Sequence, residues 1–264
     1  QYRDTLQIPV VALTGSNGKT TTKELVATVL AQKFKVHNTQ GNLNNEIGVP
    51  LTLLSTPPDC EMLIVEMGAN HQGEIDLLCQ IANPEYGLIT NIGLAHLEGF
   101  GGPEGVKKGK SEMYRYLHAH GGTIFLNTSD STLVGLVPEK CKVLTYAAND
   151  FKIVENTTFL TLADDRNKLV KTQLTGDYNQ SNVVAAIFIG SYFGVEETKV
   201  YEALENYIPT NNRSQQIDFK GCHLIKDAYN ANPSSMASAL HSLIHTVKSP
   251  KVVILGDMLE LGEF

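Results

Sequence analysis

The residues with the clearest chemical capacity lie in Thr14-Gly15-Ser16-Asn17-Gly18-Lys19-Thr20-Thr21. Glycines allow backbone N–H groups to face an anion, Lys19 can reach terminal phosphates, and the Thr20 hydroxyl can ligate Mg²⁺. The apolar run Ile8–Leu13 ahead of this loop reads as a buried strand. Behind it, Leu25, Val26, Val29 and Leu30 recur at helical spacing, which predicts a helix through about Gln32. Strand, glycine turn, Lys-Thr and helix N-terminus together form the arrangement that phosphate binding requires. The match to G-x-x-x-x-G-K-[ST] is incomplete, because Leu13 occupies the first glycine position. An ordinary glycine turn is the competing reading.

A Mg-nucleotide also needs hard oxygen ligands, usually one hydroxyl and one carboxylate at the end of a neighbouring strand. Glu66 ends the apolar run Met62–Val65 and fits that place; a solvated strand-end carboxylate is the plainer alternative. His96, in Thr90-Asn91-Ile92-Gly93-Leu94-Ala95-His96-Leu97-Glu98, again lies just past a candidate strand, and a structural histidine competes with a ligand there. Lys107, Lys108 and Lys110 read by themselves as a surface lysine cluster. Asn179 and Asn182 stand at the start of a predicted helix, each with an amide donor beside an acceptor. Ser181 or Asn182 equally fits a helix N-cap. No Ser-His-Asp or Cys-His constellation stands out.

These residues need a scaffold of alternating strands and helices. Further apolar runs at Gly87–Thr90 and Thr123–Leu126, bounded by turn residues, imply an α/β fold with a mostly parallel sheet covered on both faces. From about Lys142 to Leu174 the pattern shortens, as at Phe159–Leu162 and Leu169–Leu174, which predicts antiparallel strands appended to that sheet. Helices are expected at Asn182–Tyr192 and Glu196–Tyr207. The Pro- and Asn-rich stretch Ile208–Asn212 is the linker candidate, dividing a central nucleotide-binding domain (1–211) from the start of a second, Rossmann-like domain (212–264). In that second part Cys222–Lys226, Ser234–Val247 and Val252–Leu255 repeat the strand-helix-strand rhythm.

Composition narrows the function classes. The 264 residues carry a net charge of −7, which disfavours nucleic acid as a partner because counterion release needs a cationic surface. No apolar run approaches the roughly 18 residues of a membrane helix, so no membrane association is expected. The four scattered cysteines form no C-x-x-C pair and are expected to be reduced, mostly buried thiols of a cytoplasmic protein.

Thr14–Thr21 resembles T-G-[ST]-N-G-K-T-[ST], the ATP loop of the Mur ligases and their relatives, the folylpolyglutamate synthases and cyanophycin synthetases. Leu13 is itself the form this family shows. The resemblance implies an ATP-dependent amide ligase: a carboxylate attacks the γ-phosphate to give an acyl phosphate, which an amine then displaces. It implies two Mg²⁺ sites built from Thr20, Glu66 and His96, with Lys19, His96 and Lys110 as catalytic residues. Lys110, in a K-x-E-[MI] pattern and expected to open a helix, is the lysine the family would carbamylate with CO₂ into a metal ligand; Lys108 is the fallback. Gly176–Asn182 is similar to G-x-[HY]-N-x-x-N-x-x-A-A, whose asparagines read adenine, while Arg213 resembles a phosphate-reaching arginine and Asp227 a ribose-binding acid. Gly15, Ser16, Asn17, Gly18 and Thr21 complete the implied ATP contacts.

Three segments resemble the branch that joins D-alanyl-D-alanine to a UDP-N-acetylmuramoyl-tripeptide in peptidoglycan precursor synthesis: Thr39–Pro50, Tyr229–Met236 and Gly256–Glu263. Asn42, Asn45, Tyr229, Asn230 and Asn232 are the implied substrate contacts. Another Mur ligase, a folylpolyglutamate synthase, and a noncatalytic ATP-binding module are the rival readings. With only a few residues before its first strand and 52 after Asn212, the chain is expected to lack a uridine-nucleotide domain and to be unable to ligate alone.

Overall fold

The structure is a computed structural model that describes residues 2–156, 158–246 and 250–263. A one-turn helix, α1 (Tyr2–Thr5), leads to β1 (Val10–Thr14). Arg3 fastens this entry: its guanidinium donates to the carbonyls of Leu6, Ala82 and Asn83 and pairs with Glu85. Then follow α2 (Lys19–Leu30), β2 (Val36–Asn38), α3 (Gly48–Leu54), β3 (Met62–Glu66), α4 (Glu74–Ala82) and β4 (Tyr86–Ile89). Helices α5 (Leu97–Phe100), α6 (Pro103–Lys110) and α7 (Glu112–Ala119) precede β5 (Thr123–Asn127), and α8 (Ser131–Val134) precedes β6 (Lys142–Tyr146).

These six strands make one parallel sheet in the order β2-β3-β1-β4-β5-β6. β1 is bonded to β3 on one side and β4 on the other, so connections leaving the neighbouring strand ends diverge and open a crevice beyond them. Every residue of β1 is buried. Val11 and Leu13 enter a core shared with α2, α9 (Gln180–Tyr192) and α10 (Glu197–Asn206). Val10 and Ala12 enter a second core built with α3, α4 and α7 on the other face. This is the two-residue period of a strand covered on both sides. Burying each Val or Leu side chain contributes about 1.5–3 kcal/mol, so a polar replacement anywhere in β1 would loosen the mount of the glycine loop.

The expected antiparallel portion is present but starts later than predicted. β6 is the parallel edge strand of the main sheet, paired with β5 from Thr123↔Lys142 to Asn127↔Tyr146. Within the predicted stretch, the described antiparallel strands are β7 (Lys152–Glu155), β8 (Thr161–Ala163) and β9 (Leu169–Lys171), in a separate three-stranded sheet. Beyond residue 211, β10 (Gln215–Phe219) and β11 (Cys222–Lys226) form a hairpin and α11 (Pro233–Thr246) follows. Val252–Leu255 is not a strand: no described segment pairs with it, and Val252 and Ile254 are 86% and 91% exposed. Val247, the expected end of that helix, lies outside the described residues. Cys60 and Cys79 are buried free thiols, whereas Cys141 is half-buried and Cys222 exposed. No described helix is long and apolar enough to cross a membrane.

Candidate functional site

The loop between β1 and α2 is held open by glycine. Gly15 has φ +145°, and a Cβ there would lie 2.0 Å from Thr90 Oγ1; Gly18 has φ +77°, and a Cβ would lie 2.6 Å from Asn182 Oδ1. Only glycine adopts these conformations at such close approach without strain. Asn91 and Thr90, past β4, brace the loop: Asn91 Oδ1 accepts from Asn17 N, while Thr90 Oγ1 and Asn91 Nδ2 donate to Asn17 O. Lys19, part-buried at the start of α2, donates to the carbonyls of Gly15 and Ser16. Burial lowers its pKa from the usual lysine value, with Glu66 opposing and Arg213 adding to the shift. An ammonium in this position lacks a full counter-charge, which is what an arriving phosphate supplies.

Glu66 is the hub of the neighbouring strand end and is 1% exposed. Its Oε1 accepts from Thr20 Oγ1 at 3.2 Å and from Asn44 Nδ2 at 2.8 Å. Its Oε2 is buried without a hydrogen-bond partner, with Lys23 Nζ 4.0 Å away. An orphaned buried carboxylate oxygen beside a threonine hydroxyl fits a divalent cation, whose remaining ligands would be phosphate oxygens and water. Among the described residues no group of three His, Cys, Asp or Glu side chains gathers as a metal site, so His96 does not join Glu66 in an all-protein cage.

His96 sits at φ +55° just before α5, lines the same crevice, and donates from Nδ1 to Glu260 Oε2 at 2.5 Å. Burial lowers its pKa; Glu260 opposes this, and the charges of Lys110 and Lys19 reinforce it. Lys110 is fully buried, and its Nζ donates to Ala69 O at 3.1 Å over the Phe100 ring. Desolvation, then the Lys19 charge, lower its pKa well below the usual lysine value. Two expectations change here. Lys110 ends α6 rather than opening a helix, and Lys108, the fallback, is exposed. Two residues apart, Lys108 and Lys110 project to roughly opposite sides of α6, and packing against Phe100 and Ala69 decides which of the two turns inward.

Beyond the phosphate loop, Asn179 and Asn182 line the crevice but are 3% and 5% exposed. Asn179 Nδ2 donates to Thr175 O, Asn182 Nδ2 donates to Asn179 Oδ1, and Asn182 Oδ1 accepts from Thr22 Oγ1. Their amides therefore serve first to lock α9 onto α2. From the second part of the chain, the Arg213 guanidinium stacks 3.9 Å over the Tyr229 ring, and its Nε is buried without a partner. Asp227 faces Ser214, and burial raises its carboxyl pKa. Asn232 Nδ2 donates to Asn17 Oδ1, and Asn17 Nδ2 donates to Ser234 Oγ, tying the second part to the phosphate loop.

The crevice encloses about 690 Å³ and brings together Ser16, Asn17, Gly18, Lys19, Thr21, Glu66, His96, Asn179, Asn182, Arg213 and Asp227 with Asn42, Asn45, Tyr229, Asn230 and Asn232. Gly15, Thr20 and Lys110 stand behind its wall. Sequence reading missed Asn44, which reaches Glu66, and the pair His71–Glu74, joined at 3.0 Å on the crevice rim. It also missed Tyr178 and the serines at the start of α11. The H-x-x-E spacing of His71 and Glu74 at the beginning of a helix was the available signal.

A model of the Mur ligase middle domain matches residues 13–190. The UDP-N-acetylmuramoyl-tripeptide–D-alanyl-D-alanine ligase of Bacillus subtilis is 37% identical, over 99% of this chain and 59% of its own length. The crystal structure of MurF from Acinetobacter baumannii superposes with a TM-score of 0.88 at 32% identity, over 99% of this chain and 60% of that one. MurF ligase from Thermotoga maritima in complex with ADP gives a TM-score of 0.85 at 29% identity, over 99% and 63%. The chain thus spans roughly three-fifths of the length of the relatives it matches. With a buried carboxylate, a glycine loop and a lysine at the switch point of a parallel sheet, and with two-thirds of its length matched by one domain model, the chain belongs to the Mur ligase family.

Proposed function

We propose that the protein joins D-alanyl-D-alanine to a UDP-N-acetylmuramoyl-tripeptide in an ATP-dependent amide ligation. The observation that carries this reading is the orphaned Glu66 Oε2 beside Thr20 and Lys19, facing a crevice whose opposite wall is the Arg213–Ser238 segment. The B. subtilis relative, named for this reaction, and the ADP complex of the T. maritima relative support it.

In this reading the backbone N–H groups of Gly15–Thr20 and the Lys19 ammonium hold the ATP phosphates, and Arg213 reaches them from the second part of the chain. Thr20 and Glu66 would hold Mg²⁺, which neutralises phosphate charge when bound. The tripeptide carboxylate attacks the γ-phosphorus; ADP leaves and an acyl phosphate forms. The dipeptide amine then adds to the acyl carbon, and phosphate departs with loss of the amine proton. The protein's part is orientation and charge stabilisation rather than covalent catalysis. Asn42, Asn45, Tyr229 and Asn230 line the crevice where the peptide substrates would lie. We read residues 1–211 as the nucleotide-binding unit, residues 212–264 as the start of the second, and the location as cytoplasmic. The relatives lend no support to the carbamate expected on Lys110, and the reading does without it.

The test is phosphate release from ATP, measured with the chain alone and with a form extended at both ends. It should require both the tripeptide nucleotide and D-alanyl-D-alanine, and Lys19→Ala should abolish it together with nucleotide binding. Turnover driven by a single amino acid, or full turnover by Lys19→Ala, would sink the proposal.

A further inference from the structure

Lys23 is a buried charge that the chemistry above leaves without a task. It lies in α2 one turn past Lys19 and is 2% exposed. Its Nζ donates to Thr39 O at 2.7 Å, whereas the carboxylates of Glu24 and Glu66 stand off at 3.8 and 4.0 Å. Only the first is a hydrogen bond, so the directed contact of this ammonium goes to the chain leaving β2. Thr39 is itself fully buried: its N–H donates to Ile64 O, and its Oγ1 accepts from Glu66 N. Asn44 makes a second foot, with Nδ2 on Glu66 Oε1 and its carbonyl accepting from Gly68 N at 2.7 Å. Between the feet, residues 40–43 form an exposed turn closed by Leu43 N donating to Gln40 O. Asn45 turns its Oδ1 to the N–H groups of Ile47 and Gly48, so Asn42 is the amide that this loop presents to the crevice.

We propose that Lys23 is a positioning residue for recognition of the acid substrate: from within the helix that follows the phosphate loop it fixes one foot of the 39–47 stretch, and thereby where Asn42 stands. The inference rests on the ligase reading above. A methionine would fill the same space without the cost of burying an ammonium, so packing alone does not call for lysine here. What the lysine adds is its grip on Thr39 O. Both feet of the loop also bond Glu66, so the loop borders the end of the crevice where Lys19 and Thr20 would hold the terminal phosphate. The carboxylate that attacks the γ-phosphorus must lie at that end while ATP is still intact. The amine reacts only after the acyl phosphate has formed. Of the two peptide substrates, the tripeptide nucleotide is therefore the one this loop meets. Nucleotide grip and acid recognition are thus mounted on a single helix, through Lys19 at its start and Lys23 one turn on.

Lys23→Met keeps the apolar stem and drops the ammonium; Lys23→Gln is a second variant, whose shorter side chain stops short of Thr39 O. NMR-detected hydrogen exchange of this chain, without nucleotide or turnover, should quicken at the bonded amides of Leu43 and Asn44 in either variant and stay unchanged in α2 and β3. In ligase assays of the extended form, KM for the tripeptide nucleotide should rise about 10-fold, the fold-change of losing one hydrogen bond from a charged donor. The kcat and the KM values for ATP and D-alanyl-D-alanine should change less than about twofold. In an Asn42→Ala background the same substitution should no longer raise the tripeptide KM, because Lys23 acts through that side chain. A KM for ATP that rises as much would place the action of Lys23 at Glu66 and overturn the proposal, as would an unmoved tripeptide KM. If neither variant folds, Lys23 belongs to the core and the proposal falls as well. Faster exchange at Leu43 and Asn44 in a protein whose extended form shows no turnover would support Lys23 as the anchor of this loop and count against the proposed function instead.

Discussion

Gly18→Ala offers a direct test of how the phosphate loop is supported. Two costs add. The new Cβ must sit at φ +77°, a left-handed conformation that costs an L residue about 1–2 kcal/mol. It also meets Asn182 Oδ1 at 2.6 Å, so the Asn182 side chain must swing away. That breaks the bonds from Thr22 Oγ1 and to Asn179 Oδ1, at about 1 kcal/mol each. The sum is about 3–4 kcal/mol, which at roughly 2–4 °C per kcal/mol lowers Tm by about 6–16 °C. Gly73→Ala is the control: its φ is +90°, yet nothing lies within 4 Å of the added Cβ, so only the backbone cost of about 1–2 kcal/mol applies. Urea denaturation without nucleotide measures both. In an Asn182→Ala background the obstacle is gone, and Gly18→Ala should then cost no more than Gly73→Ala. Equal costs for the two glycine variants in the unaltered background, or a Gly18→Ala cost undiminished by Asn182→Ala, would refute the close-approach account.

Lys110→Met should change the pH dependence of stability. The folded-state pKa of Lys110 lies below its unfolded value of about 10.4, so between the two the unfolded chain binds the extra proton and stability rises with pH. In CO₂-free buffer the native protein should therefore gain urea resistance relative to Lys110→Met as pH rises from 7 toward 10; parallel profiles would mean the amine is not desolvated. Asn17→Ala removes both partners that the phosphate loop offers to Asn232 and Ser234, and should speed protease cleavage in residues 207–214 while leaving cleavage elsewhere unchanged. Unaltered cleavage there would show that the two bonds do not hold the second part in place.

What could be read from the sequence was local. The phosphate loop is legible because strand, glycine turn and helix follow one another within 23 residues, and each has its own periodicity. Glu66 was legible because a strand-end carboxylate needs only the strand to be recognised. β6 was misread because an edge strand of half-exposed residues alternates like an antiparallel one; what makes it parallel is β5, distant in sequence. Asn44 escaped notice because its bond to Glu66 spans 22 positions and an Asn-rich loop advertises only turns. Choosing Lys110 over Lys108 by its own chemistry was equally out of reach, since burial of a lysine depends on what packs over it. The Val252–Leu255 run shows the converse: an apolar, β-branched segment is not a strand until another strand offers its backbone.

The central place of β1 has a consequence for how such a protein can change. The loop after β1 is pinned by strands on both flanks, and the stretches after β2 and β4 reach back to it: Asn44 bonds Glu66, which accepts from Thr20, while Thr90 and Asn91 bond Asn17. Asn42 and Asn45 line the same crevice outside these bonds, so substitutions there can reshape it while leaving the braces in place. Tuning of the crevice is thereby confined to the positions that are not also struts of its central loop, and a change at a strut calls for a compensating change in what it holds.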